Sequence, residues 1–403
     1  MNTKYDIAIV GGGIVGLLAS LALAKTGCKI IHIEKDQLQV KNDNRSIAVS
    51  YSSIAFLNTL GLWDKVASTT QAIKKVHISD KGRYGRAEIF SKDENLPFLG
   101  AIAPMQELLA IALQEVSANS NIIKSFETNV IDLQKENEKY SLVVKQQSRK
   151  RTIKAKLIIA CDGANSSMRK MLNVDAQISD YKQDAIVFDA QTDLDNENTA
   201  FERFMTDGVL AMLPKSRTTM GCVLTVDRED SKAKLDLDEK EFQELVQDRF
   251  GYRLGQIKVA TKPIVFSLYL IQSNEVYKNN VLFFGNALHF LHPVSGQGMN
   301  LSIRDIGFLH DLIAKSNFSP DSVSRVLAEF EKVRKPDHDR TINITHGFVK
   351  WFVSNDRKLV TSRNVGLHLL QRSKLVKKAL SRIMMGKLTK SSTLMRNVIE
   401  DEH

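Results

Sequence analysis

Cysteine is scarce in this chain: Cys28, Cys161 and Cys222 are the only three in 403 residues. An odd number of widely spaced cysteines excludes a fully paired disulfide framework. With no CxxC pair there is no sign of a zinc or dithiol centre, so no metal site is expected and a reducing, cytoplasmic setting fits. Proline is sparse too, at seven residues, and no Pro-rich linker, internal repeat or low-complexity tract divides the chain. No stretch approaches the ~20 apolar residues that a spanning helix needs. The nearest imitation of a targeting segment is residues 7–24, uncharged and ending Ala22-Leu23-Ala24 like a cleavage site. Three consecutive glycines interrupt it, Asp6 precedes it, and a strand-like run follows at 29–33, so it reads as folded domain. The last shortage is of acid. Residues 357–396 hold 11 Lys/Arg and no Asp or Glu. With those 11 set aside from the 56 basic residues, the rest is balanced against 46 acidic ones, so the net charge of +10 belongs to the tail.

What remains is ordinary for a soluble globular protein, with 43% hydrophobic and 25% charged residues and length enough for two or three domains. Hydrophobic patterning predicts a strand over 5–10, a helix over 14–25 and a strand over 29–34, a βαβ start. Helices are predicted over 50–60 and 104–117, and strands over 141–145 and 156–160. Strand-like runs at 185–190, 209–213, 221–226 and 264–269, with one helix over 238–250, suggest an inserted β-rich domain. From residue 281 the pattern returns to strand, glycine-rich loop and helix.

Gly11-Gly12-Gly13-Ile14-Val15-Gly16 matches GxGxxG between a predicted strand and a predicted helix. Gly11 permits the tight turn, Gly13 lets the backbone approach a pyrophosphate, and Gly16 allows close packing of helix on strand. The helix N-terminus offers free N–H groups and a positive dipole end to the phosphates. Glu34, ending the second strand, is placed to accept from adenosine ribose hydroxyls. This motif alone does not choose between NAD and FAD. A second segment, from Leu157 through Asp162, Gly163, Ala164, Asn165, Ser166, Ser167 and Met168 to Arg169, is an apolar strand ending in Asp-Gly with an arginine seven residues beyond the aspartate. A third runs from Phe284-Gly285-Asn286-Ala287-Leu288-His289 through His292-Pro293-Val294-Ser295-Gly296-Gln297-Gly298-Met299-Asn300-Leu301. There Gly296 and Gly298 bare backbone N–H groups, Pro293 stiffens the loop, and the helix that follows adds its dipole.

These three segments, in this order, resemble the fingerprints of the group A flavoprotein aromatic hydroxylases, the family of para-hydroxybenzoate hydroxylase. The second is similar to their DG-x-x-S-x-x-R motif and the third to their GD…HPxxGQGxNL motif, with Asn286 where most members have aspartate. Asparagine keeps an acceptor and adds donors. Within the family the chain is most similar to the ubiquinone-biosynthesis hydroxylases, above all the branch acting on 2-polyprenyl-6-methoxyphenol. Arg45-Ser46-Ile47-Ala48-Val49-Ser50 resembles their RxxAxS segment, in which the arginine lies over the FAD. Phe201-Glu202-Arg203-Phe204 and Leu210-Ala211-Met212-Leu213-Pro214 resemble the stretch lining the substrate side of the flavin. His77-Ile78-Ser79-Asp80-Lys81-Gly82 resembles their HVSDRG segment. Gln106 opens a helix where relatives place a polar flavin contact.

The resemblance implies an α/β fold: a discontinuous Rossmann-like FAD-binding domain (1–75, 100–177, 276–345), an inserted β-sheet substrate domain (76–99, 178–275) and a basic helical C-terminal region (346–403). It implies non-covalent FAD held by Gly11, Gly13, Gly16, Glu34, Arg45, Gln106, Asp162, Gly163, Arg169, Asn286, Pro293, Gly296, Gln297, Gly298, Met299 and Asn300. Phe201, Arg203, Phe204, Leu213 and Pro214 are the substrate-side residues. NAD(P)H and O2 are the co-substrates, and hydroxylation of a polyprenylated phenol proceeds through a C4a-hydroperoxyflavin. No catalytic residue is assigned, because His289 and His292 fit a structural role as well as that of a base. Three rivals are an NAD-dependent dehydrogenase, a flavin-dependent isoprenoid reductase and an inactive assembly protein of the same pathway. The first would not need the second and third motifs.

The tail has a reading of its own. Leu369, Val376, Ala379, Leu380 and Ile383 fall at helical spacing among basic residues over 367–385, a pattern suited to a membrane surface. Peripheral association with the inner membrane, docking to other ubiquinone-pathway proteins, and packing on the FAD domain are the three readings; nucleic acid is not expected.

Overall fold

The computed structural model describes residues 3–37, 45–137, 139–292, 296–353, 366, 371–386 and 391–396. Its first sheet has eight strands, in the order Tyr277–Lys278, Val281–Phe283, Arg149–Ala160, Thr3–Val10, Ile30–Ile33, Ile122–Ser125, extended by the hairpin Thr128–Glu136/Lys139–Gln146. The centre is parallel. Ile7, Ala8, Ile9, Leu157, Ile158 and Ile159 are all fully buried, as continuous apolar runs in a parallel sheet covered on both faces must be. The helices Ile14–Ala24, Met105–Ala118 and Gln297–Lys315 cover one face, and the hairpin covers the other through Leu142 and Val144.

A second sheet of nine strands is mostly antiparallel. Its order is His289–Phe290, Ile264–Ser273, Ala176–Thr192, Thr219–Asp227, Gly208–Pro214, Thr199–Met205, Lys75–Asp80, Arg86–Phe90, with Ile257–Val259 added on Ala176–Thr192. The predicted strand at 185–190 is part of a single 17-residue strand, Ala176–Thr192. It and its partner Ile264–Ser273 carry the chain into and out of the β domain. Helix Glu239–Phe250, started by a capping box of Asp238 and Glu241, closes one face of this sheet over Phe188, Phe201, Met212 and Leu224. Between the two sheets lies a small three-stranded one, Ser46–Ser50, Gly100–Pro104 and Gln71–Ile73.

Helix Gln297–Lys315 is fixed to the 31-residue helix Val323–Val353 by buried charge. Arg334, fully buried, donates from Nε to Asp305 at 2.6 Å and from Nη2 to Asp337 at 2.6 Å, while Arg304 Nε reaches Asp337 at 2.9 Å. Charges so deep are tolerated only because each meets its opposite. Pro336 sits inside the same long helix.

The C-terminal region is docked as well as basic. Helix Lys374–Met384 ends in Met385, which is fully buried and whose carbonyl accepts from Ser52 Oγ at 2.7 Å. Thr393 is held by Asp311, and Leu394 and Met395 enter the main core. The apolar positions of the helix divide between two faces. Leu380 packs on Phe204 and Val209, while Leu375 is 82% and Val376 47% exposed. Leu369 lies outside the described residues.

Candidate active site

Register brings the separated motifs together. Val10 pairs with both Ile33 and Ala160, and Ala160 pairs with Phe283, so four parallel strands end on one line. The ladder runs on into the loops: Gly11 N–H donates to Ile33 O at 2.9 Å, Cys161 N–H to Val10 O at 2.7 Å and Phe284 N–H to Ala160 O at 2.9 Å. The glycine loop, Glu34, Asp162-Gly163 and Gly285-Asn286 therefore leave from one carboxyl edge, where ligands bind in open α/β sheets.

The glycines there divide by what surrounds them. Gly11 has φ +117°, and a Cβ on it would lie 2.4 Å from the Cys161 carbonyl oxygen; one on Gly16 would lie 2.0 Å from the Gly11 carbonyl oxygen. Both serve packing. Gly13 and Gly298 face open space, with nothing within 4 Å of a Cβ placed there. The two helices they introduce, Ile14–Ala24 and Gln297–Lys315, have glycine N-caps, no side-chain cap and no acid in the first turn. Helices Tyr51–Thr59 and Glu239–Phe250, by contrast, are capped by the Ser50 and Asp238 side chains. Neither of these two positive helix ends carries a side-chain cap of its own.

The polar residues hold this edge in shape. Glu34 accepts from Gly12 N–H at 2.5 Å and from Asp36 N–H at 3.1 Å. Asp162 Oδ2 accepts from Met168 N–H at 3.0 Å and Ser167 Oγ at 3.1 Å, while its buried Oδ1 has no partner among the described residues. The Arg169 guanidinium is buried and donates to the carbonyls of Ala287 (3.0 Å) and Ala164, tying the second motif to the third. Asn300 likewise works within the protein: its Nδ2 donates to Gly296 O at 2.7 Å and Ala48 O at 2.9 Å, and its Oδ1 accepts from Ser50 N–H at 2.9 Å. Gly163 is open on its Cβ side and Asn286 is exposed. Gln297 is buried and Met299 packs against the main core. Arg45 lies over the Phe266 ring at 5.8 Å, and Gln106 is half-buried in the first turn of its helix. Pro293 lies outside the described residues.

The stretch 201–204 does not present one surface. Strand alternation puts Phe201 and Arg203 on the face closed by helix Glu239–Phe250, with the Phe201 ring 5.2 Å from Phe250 and Arg203 Nε donating to Arg249 O at 2.8 Å. Both therefore face the helix-covered side of the sheet; Pro214, buried, falls in alternation with Met212 on that face too. Phe204 and Leu213 point the other way. On that other face, register draws a row of side chains across the sheet: Ile264, Val187, Val223, Ala211 and Glu202. Ile264 is exposed and the next four are half-buried, although they sit in the middle of a nine-stranded sheet. Phe266, under Arg45, is 39% exposed beside this row. Four of the five are apolar and keep partial exposure, while helix Val323–Val353 lies against strands Thr199–Met205 and Gly208–Pro214. Sequence reading missed Val187, Val223 and Phe266, because only pairing register shows which residues share the row.

A family model described as FAD binding domain matches residues 4–337. The chain belongs to this FAD-binding family. Ubiquinone hydroxylase UbiL of Rhodospirillum rubrum is 27% identical over 394 residues, covering 95% of this chain and 90% of that protein. The 3-demethoxyubiquinol 3-hydroxylase of Escherichia coli is 25% identical over 396 residues, covering 96% and 99%. Among solved structures, p-nitrophenol 4-monooxygenase PnpA of Pseudomonas putida superposes with a TM-score of 0.78 at 17% identity, covering 96% of this chain and 99% of that one.

The residues present fit FAD. Open space over Gly13 leaves room for a pyrophosphate, the uncapped helix ends suit its charge, and the unpartnered Asp162 Oδ1 is a ready acceptor for a cofactor hydroxyl. Two histidines near the FAD edge make poor bases. Burial pushes the His289 imidazole down to about 3 and that of His292 to about 4. The His289 ring lies 4.3 Å from that of His338 on the long helix, and His292 meets Tyr181 edge-on at 5.2 Å. Burial also raises the Cys161 thiol well above its usual range, so no thiolate stands beside Asp162 to link a flavin.

Proposed function

We propose that the chain is an FAD-dependent NAD(P)H:O2 monooxygenase that hydroxylates a polyprenylated phenol in ubiquinone biosynthesis, converting 2-polyprenyl-6-methoxyphenol to the 1,4-benzoquinol. The observation that carries this reading is the pairing of a dinucleotide edge with a partly exposed, mostly apolar row on a separate sheet. Bound FAD supplies the chemistry, taking two electrons from the nicotinamide and activating O2. The protein supplies the rest. Gly13, Glu34, Asp162, Gly163 and Asn286 hold the cofactor; Gly11 and Gly16 pack the turn, and Arg169 and Asn300 keep the loops in register. Val187, Ala211, Leu213, Val223 and Phe266 hold an aromatic ring and exclude water. A site of this kind needs positioning and dryness more than a proton-transfer dyad, which agrees with the neutral histidines. A second reading, hydroxylation at another ring carbon, draws on the name of the Escherichia coli relative, and product regiochemistry separates the two.

Two measurements probe the parts of this reading. Acid precipitation of the purified protein should release all of the yellow chromophore as FAD; colour retained in the pellet would show a covalent link. The basic helix is assigned to an anionic membrane surface, with docking to other pathway proteins as the competing role. No helix among the described residues is long and apolar enough to cross a membrane. Attraction to anionic lipid is worth roughly 1 kcal/mol per well-placed cation and is screened over ~8 Å at physiological ionic strength. Binding to anionic vesicles should therefore fall steeply with salt, and Lys377→Glu/Lys378→Glu/Arg382→Glu should abolish it. Vesicle binding unchanged in that variant would remove the membrane role.

A further inference from the structure

Against the strand Ser46–Ser50 lies a small internal cavity of about 60 Å³. That is several times the ~10–15 Å³ needed to admit one water. Its sides are Ile73, Val76, Ile89 and Leu99, all buried. Three polar side chains complete the lining, and two of them are already engaged. Asn300 Oδ1 accepts from Ser50 N–H, and its Nδ2 donates to the carbonyls of Ala48 and Gly296. Ser50 Oγ lies 3.0 Å from Ser53 Oγ and 3.3 Å from Ser52 Oγ. The third, the Ser381 hydroxyl of helix Lys374–Met384, has no partner among the described residues. A buried water makes about three hydrogen bonds, and a lone hydroxyl gives it one anchor. Every residue of the lining is buried except Ala48, which is half-buried. Ala48 is also where the cavity meets the FAD loop, its Cβ lying 3.0 Å from a Cβ placed on Gly296.

We infer that this cavity is a dioxygen subsite, holding O2 behind Ala48 and next to the loop that closes the flavin edge. The inference rests on the reading of the chain as an O2-consuming flavoenzyme. O2 is a small apolar diatomic that gives up almost nothing on leaving water for an aliphatic cavity, whereas a water there forfeits most of its hydrogen bonds. Size decides against the other co-substrates. An aliphatic cavity that takes up benzene measures about 150 Å³, so this one admits neither a phenol ring nor a nicotinamide. A reaction that keeps water from its ring site and still consumes O2 gains from an apolar store separate from the aqueous path. With alanine at position 48, a methyl group is the partition between that store and the Gly296 loop.

The test starts with xenon, an apolar probe, in pressurised crystals of the FAD-loaded protein. Xenon should occupy the space among Ile73, Val76, Ile89 and Leu99. Ile89→Phe fills the cavity from the hairpin Lys75–Asp80/Arg86–Phe90, and Ser381→Leu fills it from the helix; each should exclude xenon, and the pair covers the case in which one fails to fold. Stopped-flow mixing of the reduced enzyme with O2 then reads the function. In the filled variants flavin reoxidation at limiting O2 should slow about tenfold, the equivalent of about 1.4 kcal/mol, with FAD content and anaerobic reduction by NAD(P)H unchanged. Ser381→Ala removes the hydroxyl without filling the space and should keep both xenon and fast reoxidation. A water fixed on Ser381 with no xenon, or wild-type reoxidation in variants that exclude xenon, would overturn the subsite and leave the monooxygenase reading standing. Reduced wild-type FAD that fails to react with O2 would sink that reading, and the subsite's role with it, even where xenon binds.

Discussion

Gly13→Val yields a folded, colourless protein. Gly13 initiates helix Ile14–Ala24 in extended backbone that valine can adopt, and nothing lies within 4 Å of a Cβ placed there. The substitution therefore costs the apoprotein little. It puts a branched side chain into the space through which a pyrophosphate must reach the uncapped N–H groups. Contrast Gly16→Val, where the Cβ would meet the Gly11 carbonyl oxygen at 2.0 Å and the helix would be pushed off its strand. FAD occupancy in Gly13→Val should fall by at least roughly 100-fold in affinity, about 2.7 kcal/mol, with far-UV circular dichroism preserved. Equilibrium dialysis against FAD measures the first and the spectrum the second. Wild-type affinity in the variant would show that this loop is not the phosphate cradle.

Turnover with ¹⁸O₂ should place one labelled atom in the quinol made from a 2-prenyl-6-methoxyphenol, and the same phenol should accelerate NAD(P)H oxidation. Leu213 lies on the side of strand Gly208–Pro214 away from helix Glu239–Phe250 and packs on the cluster of Ile73 and Val76. Leu213→Trp displaces the ring from its working position, and a displacement of about 1 Å is enough to cost on the order of 10²-fold in rate. Hydroxylation should drop by about that factor, with peroxide taking up the lost electrons and FAD content intact, since no cofactor contact described above involves Leu213. Unlabelled product would exclude the monooxygenase reaction. Label at a different ring carbon would keep the reaction and move the enzyme to a neighbouring step.

Some of this site was legible in the sequence because its chemistry is local. The glycine loop, Asp162 with Arg169, and the segment from Gly285 to Asn300 are each contiguous, and each sits where a strand turns to a loop. What each residue does there was less legible. Arg169 and Asn300, expected at the cofactor, spend their hydrogen bonds on Ala164, Ala287, Ala48, Gly296 and Ser50. That outcome depends on loops more than 100 residues apart meeting. The proposed ring site was missed for a related reason. A stretch such as Phe201-Glu202-Arg203-Phe204 reads as one segment, but period-two alternation sends Phe201 and Arg203 one way and Glu202 and Phe204 the other. The strand Ser46–Ser50, rich in small residues, carries little β signal until Gly100–Pro104 pairs with it. The long helix Val323–Val353 contains Pro336, a local breaker, and stands because Arg334, Asp337 and His338 around that proline are held by Asp305 and Arg304 from another helix.

The order in which the chain leaves the ribosome bears on how this enzyme is made. Gly13 emerges first, Asp162 only after the first sheet's fourth parallel strand, and Gly298 after the whole β domain, while the helix that anchors Gln297–Lys315 runs to residue 353. A nascent chain halted before about residue 300 has the phosphate loop but no closed flavin edge. Cofactor capture is thus a late event in synthesis, and the strand Val281–Phe283 adds to a sheet that has waited for it through the whole β domain. Since FAD binds the completed edge and not its pieces, it favours the finished molecule by mass action. Flavin supply in the cell then sets how much of this protein survives as well as how much of it works, and riboflavin starvation should deplete the polypeptide itself.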